Sequence, residues 1–265
     1  MFDSHCHLDA PEFDADRAQV LARARANGVH SLVLPAIRAA DFQGLAALCA
    51  PDAHLAFALG LHPICLPQHT PLHLDQLQLA LRDGILVDGF DVQRAIAVGE
   101  CGLDYFLQDL DPALQMSTFE AQLRFAREFD LPIIVHARRA HEAVLHGLRR
   151  FGIRKGVVHS FAGSEVQAEA LFKMGIHIGI GGPITYPRAQ RLRRIVADMP
   201  IEYLLLETDA PDQPLMGRQG QRNEPAHLAE VASCIASLRK QSLDALIHAV
   251  DANSHALFQR KSSLN

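Results

Sequence analysis

The sequence has little of several residue types that mark particular classes of protein. It contains no tryptophan, three tyrosines and five cysteines in 265 residues. The cysteines are widely spaced and form no CxxC pair, which argues against a disulfide scaffold and against a structural zinc site. No apolar run approaches the roughly 18 residues that a membrane span needs, and residues 1–5 lack the basic and apolar regions of a secretory signal. We therefore expect a globular, cytoplasmic protein with reduced thiols and no membrane contact.

Lysine is also scarce, whereas histidine is abundant. Only four lysines (Lys155, Lys173, Lys240 and Lys261) accompany 15 histidines, and the net charge is −5. The charge is unevenly distributed, because residues 132–200 carry 11 basic and 4 acidic side chains. This basic middle is compatible with a local anion-binding face, and it is also compatible with arginine-rich helix faces that only contact solvent.

Short apolar runs alternate with amphipathic stretches along the chain. The apolar runs predict strands at residues 2–8, 31–35, 55–59, 95–99, 132–135, 156–158, 176–180 and 202–206. Helical periodicity covers 14–27, 39–49, 72–82, 112–130, 140–151, 164–173 and 187–198, and the tail 225–259 supplies the last helices. Continuous apolar strands are typical of a parallel sheet that is covered on both faces. The sequence therefore predicts one α/β domain over residues 1–265, a (β/α)8 TIM barrel, with a doubly wound sheet as the alternative.

Potential metal ligands follow five of the predicted strands. They are His5 and His7, Glu100, His136, His159, and Glu207 with Asp209. In a parallel barrel these strand ends lie on one face, where barrel active sites are found. Nitrogen and oxygen ligands without thiolate suit Zn²⁺, Mn²⁺ or Mg²⁺, and four histidines with two or three carboxylates are too many for one ion. We therefore expect two divalent ions, bridged by Glu100 rather than by a modified lysine, because no lysine lies at the carboxyl end of a predicted strand.

The motifs that contain these residues resemble those of the TatD family of metal-dependent deoxyribonucleases and hydrolases, within the amidohydrolase-like barrels. The motifs are Asp3-Ser4-His5-Cys6-His7-Leu8, Gly60-Leu61-His62-Pro63, Gly99-Glu100-Cys101-Gly102-Leu103-Asp104, His136-Ala137-Arg138, His159-Ser160-Phe161-Ala162-Gly163, Leu206-Glu207-Thr208-Asp209-Ala210-Pro211 and Arg222-Asn223-Glu224-Pro225. Together these motifs extend over nearly the whole chain. The runs Thr185-Tyr186-Pro187-Arg188 and Asp212-Gln213-Pro214-Leu215 resemble the YjjV-like subgroup.

The resemblance implies a ligand set and a reaction. His5, His7, Glu100 and Asp209 would hold the first ion, and Glu100, His136 and His159 the second. The implied activity is hydrolysis of phosphodiester bonds, in which nucleotides are often removed from a 3′ end. The expected substrate is single-stranded DNA, or RNA, bound without sequence specificity, because no sequence-reading motif is present. We expect a monomer without an obligate protein partner.

Besides Glu100, three residues are candidates for catalysis or orientation. Asp209 could accept a proton from the attacking water as well as bind metal. Glu207 could orient a ligand or a water, or it could be only a structural acceptor. His62 could contact phosphate or protonate the leaving oxygen, or it could only anchor its loop.

Candidates for substrate binding are Arg138, Arg222 and Asn223. Arg138 follows the ligand of the fifth strand by two residues and could clamp a phosphate. Arg222 and Asn223 are weaker candidates, since a strut between arginine and carboxylates explains them equally well. Hydrolysis of a small ester, an amide or an aminoacyl-tRNA ester is the alternative activity, and a non-catalytic metal-binding protein is a further one.

Overall fold

The computed structural model describes residues 1–258 and contains eight parallel strands in sequential order. Residues 259–265 of the predicted domain lie outside the described part. The strands are β1 (Phe2–Asp3), β2 (Ser31–Pro35), β3 (Leu55–Leu59), β4 (Ala97–Asp104), β5 (Ile133–Arg138), β6 (Gly156–Val158), β7 (Ile176–Ile180) and β8 (Leu204–Leu206). Each strand pairs in parallel with the next one. The fold is a (β/α)8 TIM barrel, which confirms the prediction over the doubly wound alternative.

Helices follow the strands and cover the outside of the barrel. They are α1 (Arg17–Ala26), α2 (Phe42–Cys49), α3 (Pro71–Asp83), α4 (Pro112–Glu128), α5 (His141–Arg150), α6 (Glu165–Phe172), α7 (Gln190–Asp198), α8 (Leu228–Arg239) and α9 (Leu243–Phe258). Several of them begin where the sequence supplies a local signal. Ser164 caps α6 in a reciprocal capping box with Gln167, and Pro112 occupies the first turn of α4. No helix within residues 1–258 has the length and apolarity to cross a bilayer.

The barrel closes where the first strand meets the last. The Ser4 amide donates to the Leu206 carbonyl at 2.9 Å, and the Asp209 amide donates to the His5 carbonyl at 2.9 Å. On the other side of the first segment, the Cys6 amide donates to the Val33 carbonyl of β2. Extended pairing therefore continues past the two residues of β1, which explains why His5 and His7 follow strand alternation outside the assigned strand.

One end of the barrel is filled with apolar side chains. Phe2, Val33, Ala58, Ala97, Ile134, Val157 and Leu205 form a buried cluster together with Leu257 and Phe258 at the end of α9. These residues come from seven of the eight strands and from the last helix. Polar functional groups are therefore expected at the carboxyl ends of the strands.

The fourth and fifth strands are longer than the apolar pattern predicted. β4 was expected to end at residue 99 and β5 at residue 135, whereas pairing continues to Asp104 and Arg138. Glu100 and His136 consequently lie within strands rather than just after them. The prediction failed because polar side chains interrupt the apolar run while the backbone ladder continues.

Glycine makes the close approach of these two strands possible. Gly102 pairs with His136 and has a φ of 142°, and a Cβ atom there would lie 2.1 Å from the His136 carbonyl oxygen. No side chain fits without moving the backbone of β5. Gly102 thus fixes the position of the strand that carries His136.

Candidate active site

A cavity of about 950 Å³ opens at the carboxyl ends of the strands. Its lining includes five of the predicted metal ligands, namely His7, Glu100, His136, His159 and Asp209. The sixth, His5, is fully buried beside them. The volume is at the upper end of the range of about 300–1,000 Å³ that is typical of ligand-binding sites. The barrel therefore brings all six predicted ligands together at one face.

The first cluster of side chains surrounds one oxygen of the Glu100 carboxylate. Oε2 lies 3.1 Å from His5 Nε2 and 3.5 Å from His7 Nε2. Asp209 Oδ1 lies 3.5 and 3.7 Å from the same two nitrogens, which are 3.2 Å apart. Ligand atoms around a tetrahedral ion at about 2.0–2.1 Å are separated by about 3.4 Å. The group formed by His5, His7 and Glu100 therefore fits a divalent cation, and Asp209 Oδ1 lies beside both histidine nitrogens.

The second cluster surrounds the other oxygen of the same carboxylate. Oε1 lies 2.7 Å from His159 Nε2 and 3.2 Å from His136 Nδ1, and these two nitrogens are 3.3 Å apart. His62 Nε2 also lies 3.0 Å from Oε1. Glu100 is only 2% exposed, so its two oxygens face the two clusters and not solvent. This geometry is what a bridging carboxylate requires.

The electrostatics of the clusters show a carboxylate that is held ionised by imidazoles. Burial opposes ionisation of Glu100, but the neighbouring histidines His159, His62 and His5 hold its pKa well below the usual value. Burial likewise opposes protonation of His7 and His159, but interaction with Glu100 raises their pKa to about 9 and about 10. Metal ions coordinate neutral imidazole, so a cation bound here would take the place of these protons.

Asp104 orients one of the candidate ligands, and the sequence reading missed it. Its Oδ2 lies 3.2 Å from His136 Nε2, and the side chain is almost fully buried. When the proton of the His136 ring is on Nε2, Nδ1 keeps a free lone pair. Nδ1 is the nitrogen that faces Glu100, where a metal would bind. Because Asp104 lies four residues after Glu100 on β4, strand alternation could have found it, had the strand been extended far enough.

Replacing Asp104 with asparagine should weaken metal binding. The side-chain amide of Asp104→Asn would present to His136 Nε2 either an N–H group, which cannot accept the Nε2 proton, or an uncharged oxygen, which accepts it more weakly. Either change destabilises the tautomer of His136 that has its proton on Nε2 and a free lone pair on Nδ1. We expect the metal affinity of the site to fall about 10- to 100-fold. Titration with Mn²⁺ followed by calorimetry measures this change, and Asp109→Asn, an exposed residue of the following loop, is the control. Equal affinities in Asp104→Asn and wild type would contradict the role assigned to Asp104.

A second set of buried polar groups holds the loop after β8. Asp3 accepts hydrogen bonds from the Thr208 amide at 3.0 Å and from the Thr208 hydroxyl at 2.6 Å. Asn223 is fully buried, and its amide donates to the Thr208 carbonyl at 2.9 Å and to the Gln213 carbonyl at 3.3 Å. These bonds fix the backbone around Asp209. Asn223 therefore supports the loop, and it does not line the cavity.

Four residues with left-handed backbone conformation line the cavity. Arg139, Ser160, Asp209 and Gln213 have φ values between 45° and 54°. Such conformations are unfavourable for residues other than glycine and persist where the surrounding structure imposes them, often at functional sites. The Gln213 amide donates to Asp209 Oδ2 and to the Ser160 hydroxyl. Gln213 is thus a further residue that sequence reasoning did not single out.

Glu207 lies below the second cluster and is fully buried. Its Oε1 accepts a hydrogen bond from the Ser160 amide at 2.5 Å and lies 4.0 Å from His159 Nδ1. Its Oε2 and His159 Nδ1 have no hydrogen-bond partner. Burial raises the pKa of Glu207 to about 8. A Cβ at Gly179 would lie 2.0 Å from Oε2, so Glu207 is packed against the backbone of β7 and faces His159 without a hydrogen bond to it.

The two arginines predicted to bind substrate are in different situations. Arg138 lines the cavity at the end of β5. Arg222 does not line it. Its guanidinium contacts both oxygens of Asp16 at 2.8 Å and Glu224 at 2.8 Å, which is the arginine–carboxylate strut considered as the alternative. Asp16 precedes Arg222 by 206 residues, so the pairing could not be read from the local sequence.

Comparison with known proteins agrees with the geometry. The family described as TatD related DNase matches residues 2–259. An uncharacterized metal-dependent hydrolase of Escherichia coli K12, YjjV, is 42% identical over 257 residues, which are 97% of this chain and 96% of the relative. The crystal structure of that protein covers 97% of both chains with a TM-score of 0.92. A 3′-5′ ssDNA/RNA exonuclease TatD of Salmonella typhimurium is 34% identical over 268 residues, 98% of this chain and 99% of the relative. The chain therefore belongs to the TatD-related DNase family.

Proposed function

We propose that this protein is a metal-dependent phosphodiesterase that hydrolyses single-stranded DNA, or RNA, from the 3′ end with two divalent cations. The observation that supports this most strongly is the position of Glu100, whose two oxygens each face a separate cluster of nitrogen and oxygen ligands. Such pairs of cations, when bound, neutralise phosphoryl oxygens and lower the pKa of an attacking water. Mg²⁺, Mn²⁺ and Zn²⁺ are the candidate ions for these ligands.

We assign the proton transfer from water to Asp209. Its Oδ1 belongs to the first cluster, and its Oδ2 is held by the Gln213 amide at the cavity wall. A carboxylate fixed in this way presents a remaining lone pair to a water in the cavity. Glu207 has no comparable access, because it is buried behind His159. Its proposed role is to orient that histidine.

We assign hydrogen-bond donation to His62, because its tautomer is set by the backbone. The Ile64 amide donates to His62 Nδ1 at 3.0 Å, so this nitrogen carries no proton. In the neutral ring the proton is then on Nε2, which points to Glu100 Oε1. A neutral ring in this tautomer has no free lone pair at Nε2. His62 is therefore suited to donate to a phosphate oxygen, and it is less suited than His136 to bind metal.

Relatives and the cavity wall both support nucleic acid as the substrate. Relatives of this length include proteins named 3′-5′ ssDNA/RNA exonuclease. Arg138 and Arg139 line the same cavity as the ligand clusters and can bind phosphates. We also propose that the protein works in the cytoplasm, where free cysteines stay reduced.

Incubation of the purified protein with oligonucleotides labelled at the 5′ end tests the proposal. We expect a ladder of products shortened from the 3′ end that appears with added Mg²⁺ or Mn²⁺ and disappears with EDTA. A duplex of the same sequence should be degraded far more slowly. If single strands stay intact with every metal while a small ester or an aminoacyl-tRNA is hydrolysed, the nuclease proposal is wrong and the alternative hydrolase activity is right.

A further inference from the structure

The rim of the cavity carries an exposed aromatic ring next to two arginines. Phe106 follows β4 and is 43% exposed. The guanidinium carbon of Arg138 lies over this ring at 3.8 Å from its centroid, and that of Arg139 lies at 4.8 Å. Both arginines line the cavity that contains the ligand clusters. An aromatic ring and two cations are thus in contact at the edge of the candidate active site.

This arrangement is not explained by the packing of the fold. An exposed ring contributes little to the core, and no carboxylate in residues 1–258 lies within ion-pair distance of Arg138 or Arg139, although Asp104 interacts electrostatically with the charge of Arg138. The nearby carboxylate of Asp104 is occupied by the Phe106 amide and by His136. Two adjacent cations without an ion-pair partner are more easily explained by an anionic ligand than by stability.

The position of the ring is linked to the metal clusters through one side chain. Asp104 Oδ1 accepts a hydrogen bond from the Phe106 amide at 3.0 Å, while Oδ2 lies 3.2 Å from His136 Nε2. The same carboxylate therefore sets the position of a candidate ligand and of the aromatic ring. A substrate that contacts both the ring and the metal clusters would be held at a fixed distance from the reacting centre.

We propose that Phe106, together with the neighbouring Arg138 and Arg139, binds a nucleobase of the substrate strand. This inference rests on the proposed nuclease function and specifies how the strand is held. Nucleobases stack on aromatic rings and on guanidinium planes, and they do so without regard to sequence. An arginine that stacks through its plane still has the N–H groups at its edge available for a phosphate. The platform thus selects unpaired bases, since the bases of a duplex are already stacked on one another.

A set of oligonucleotides that each lack one base tests this platform. Each strand carries a single tetrahydrofuran residue, and its position is moved stepwise from the 3′ end. For the wild type we expect one position at which loss of the base lowers kcat/KM about 5- to 100-fold. For the Phe106→Ala variant we expect kcat/KM on the intact strand to be reduced by the same factor. Removal of the base at that position should not lower kcat/KM of this variant any further. Phe106→Trp should keep the dependence on the base, whereas Phe106→Leu, which has no π face, should lose it.

Phe90→Ala is the matched control, because Phe90 is similarly exposed, at 44%, and does not line the cavity. It should behave as wild type, and metal content and thermal melting should show that each variant is folded and loaded. If Phe106→Ala cleaves intact and base-less strands with the same preference as wild type, the platform is wrong although the nuclease function stands. If the wild type cleaves none of the strands, the proposed function itself is wrong.

Discussion

Replacing Glu100 with glutamine should abolish hydrolysis and remove most of the bound metal. The carboxylate contacts both clusters with separate oxygens, with Oε2 at 3.1 Å from His5 and Oε1 at 2.7 Å from His159. Glutamine has nearly the same shape but no charge, and it places an amide donor against one set of ligands. We expect kcat/KM to fall by at least about 10³-fold, since stabilisation by such metal sites amounts to several kcal/mol.

Two measurements on the purified variant separate the causes of this loss. Elemental analysis gives the metal content per chain, and thermal melting shows whether the barrel is intact. Glu169→Gln, an exposed residue of α6, is the matched control and should keep wild-type activity and metal content. A Glu100→Gln variant that retained two ions per chain and activity within tenfold of wild type would disprove the bridging role.

Replacing Asp209 with asparagine should lower kcat even when metal is saturating. The asparagine oxygen can still face the first cluster, where Asp209 Oδ1 lies 3.5 Å from His5 Nε2, but the amide group cannot accept a proton from water. General base catalysis contributes about 10²- to 10⁴-fold to rates. We therefore expect a loss of this size in kcat.

The rates should be measured over a range of Mn²⁺ concentrations, so that weaker metal binding is separated from the loss of the base. Asp75→Asn, on an exposed position of α3, controls for the change in net charge. If added Mn²⁺ restores the Asp209→Asn variant to within tenfold of wild type, then Asp209 is only a ligand and another group accepts the proton.

The ligand residues could be recognised from the sequence because they obey simple rules. His5 and His7 are two residues apart in extended chain, so both face the same side. His136 and His159 follow apolar runs that were identified as neighbouring strands. Parallel strands have their carboxyl ends on one face, and this topological rule is enough to bring such residues together.

Residues that support the ligands could not be recognised so easily. Asp104 was missed because β4 continues beyond its apolar part. Gln213 and Phe106 act through contacts with Asp209 and Arg138 that depend on how two loops fold over the cavity. Loop conformation has no periodic pattern in the sequence, so these contacts emerge only from the three-dimensional structure.

The sequence by itself favoured the barrel over a doubly wound sheet, because the periodicity of apolar residues predicts eight strand–helix units, and strand direction placed the candidate ligands on one face. The resemblance to the TatD family then singled out six of them. Only the tertiary structure decided which nitrogen of each histidine faces Glu100, that Arg222 is held by Asp16, and that Phe106 lies under Arg138. These features depend on pairs of side chains that are distant in the chain or lie on different loops. Their distances are set by packing and hydrogen bonds, and no local pattern of residues specifies them.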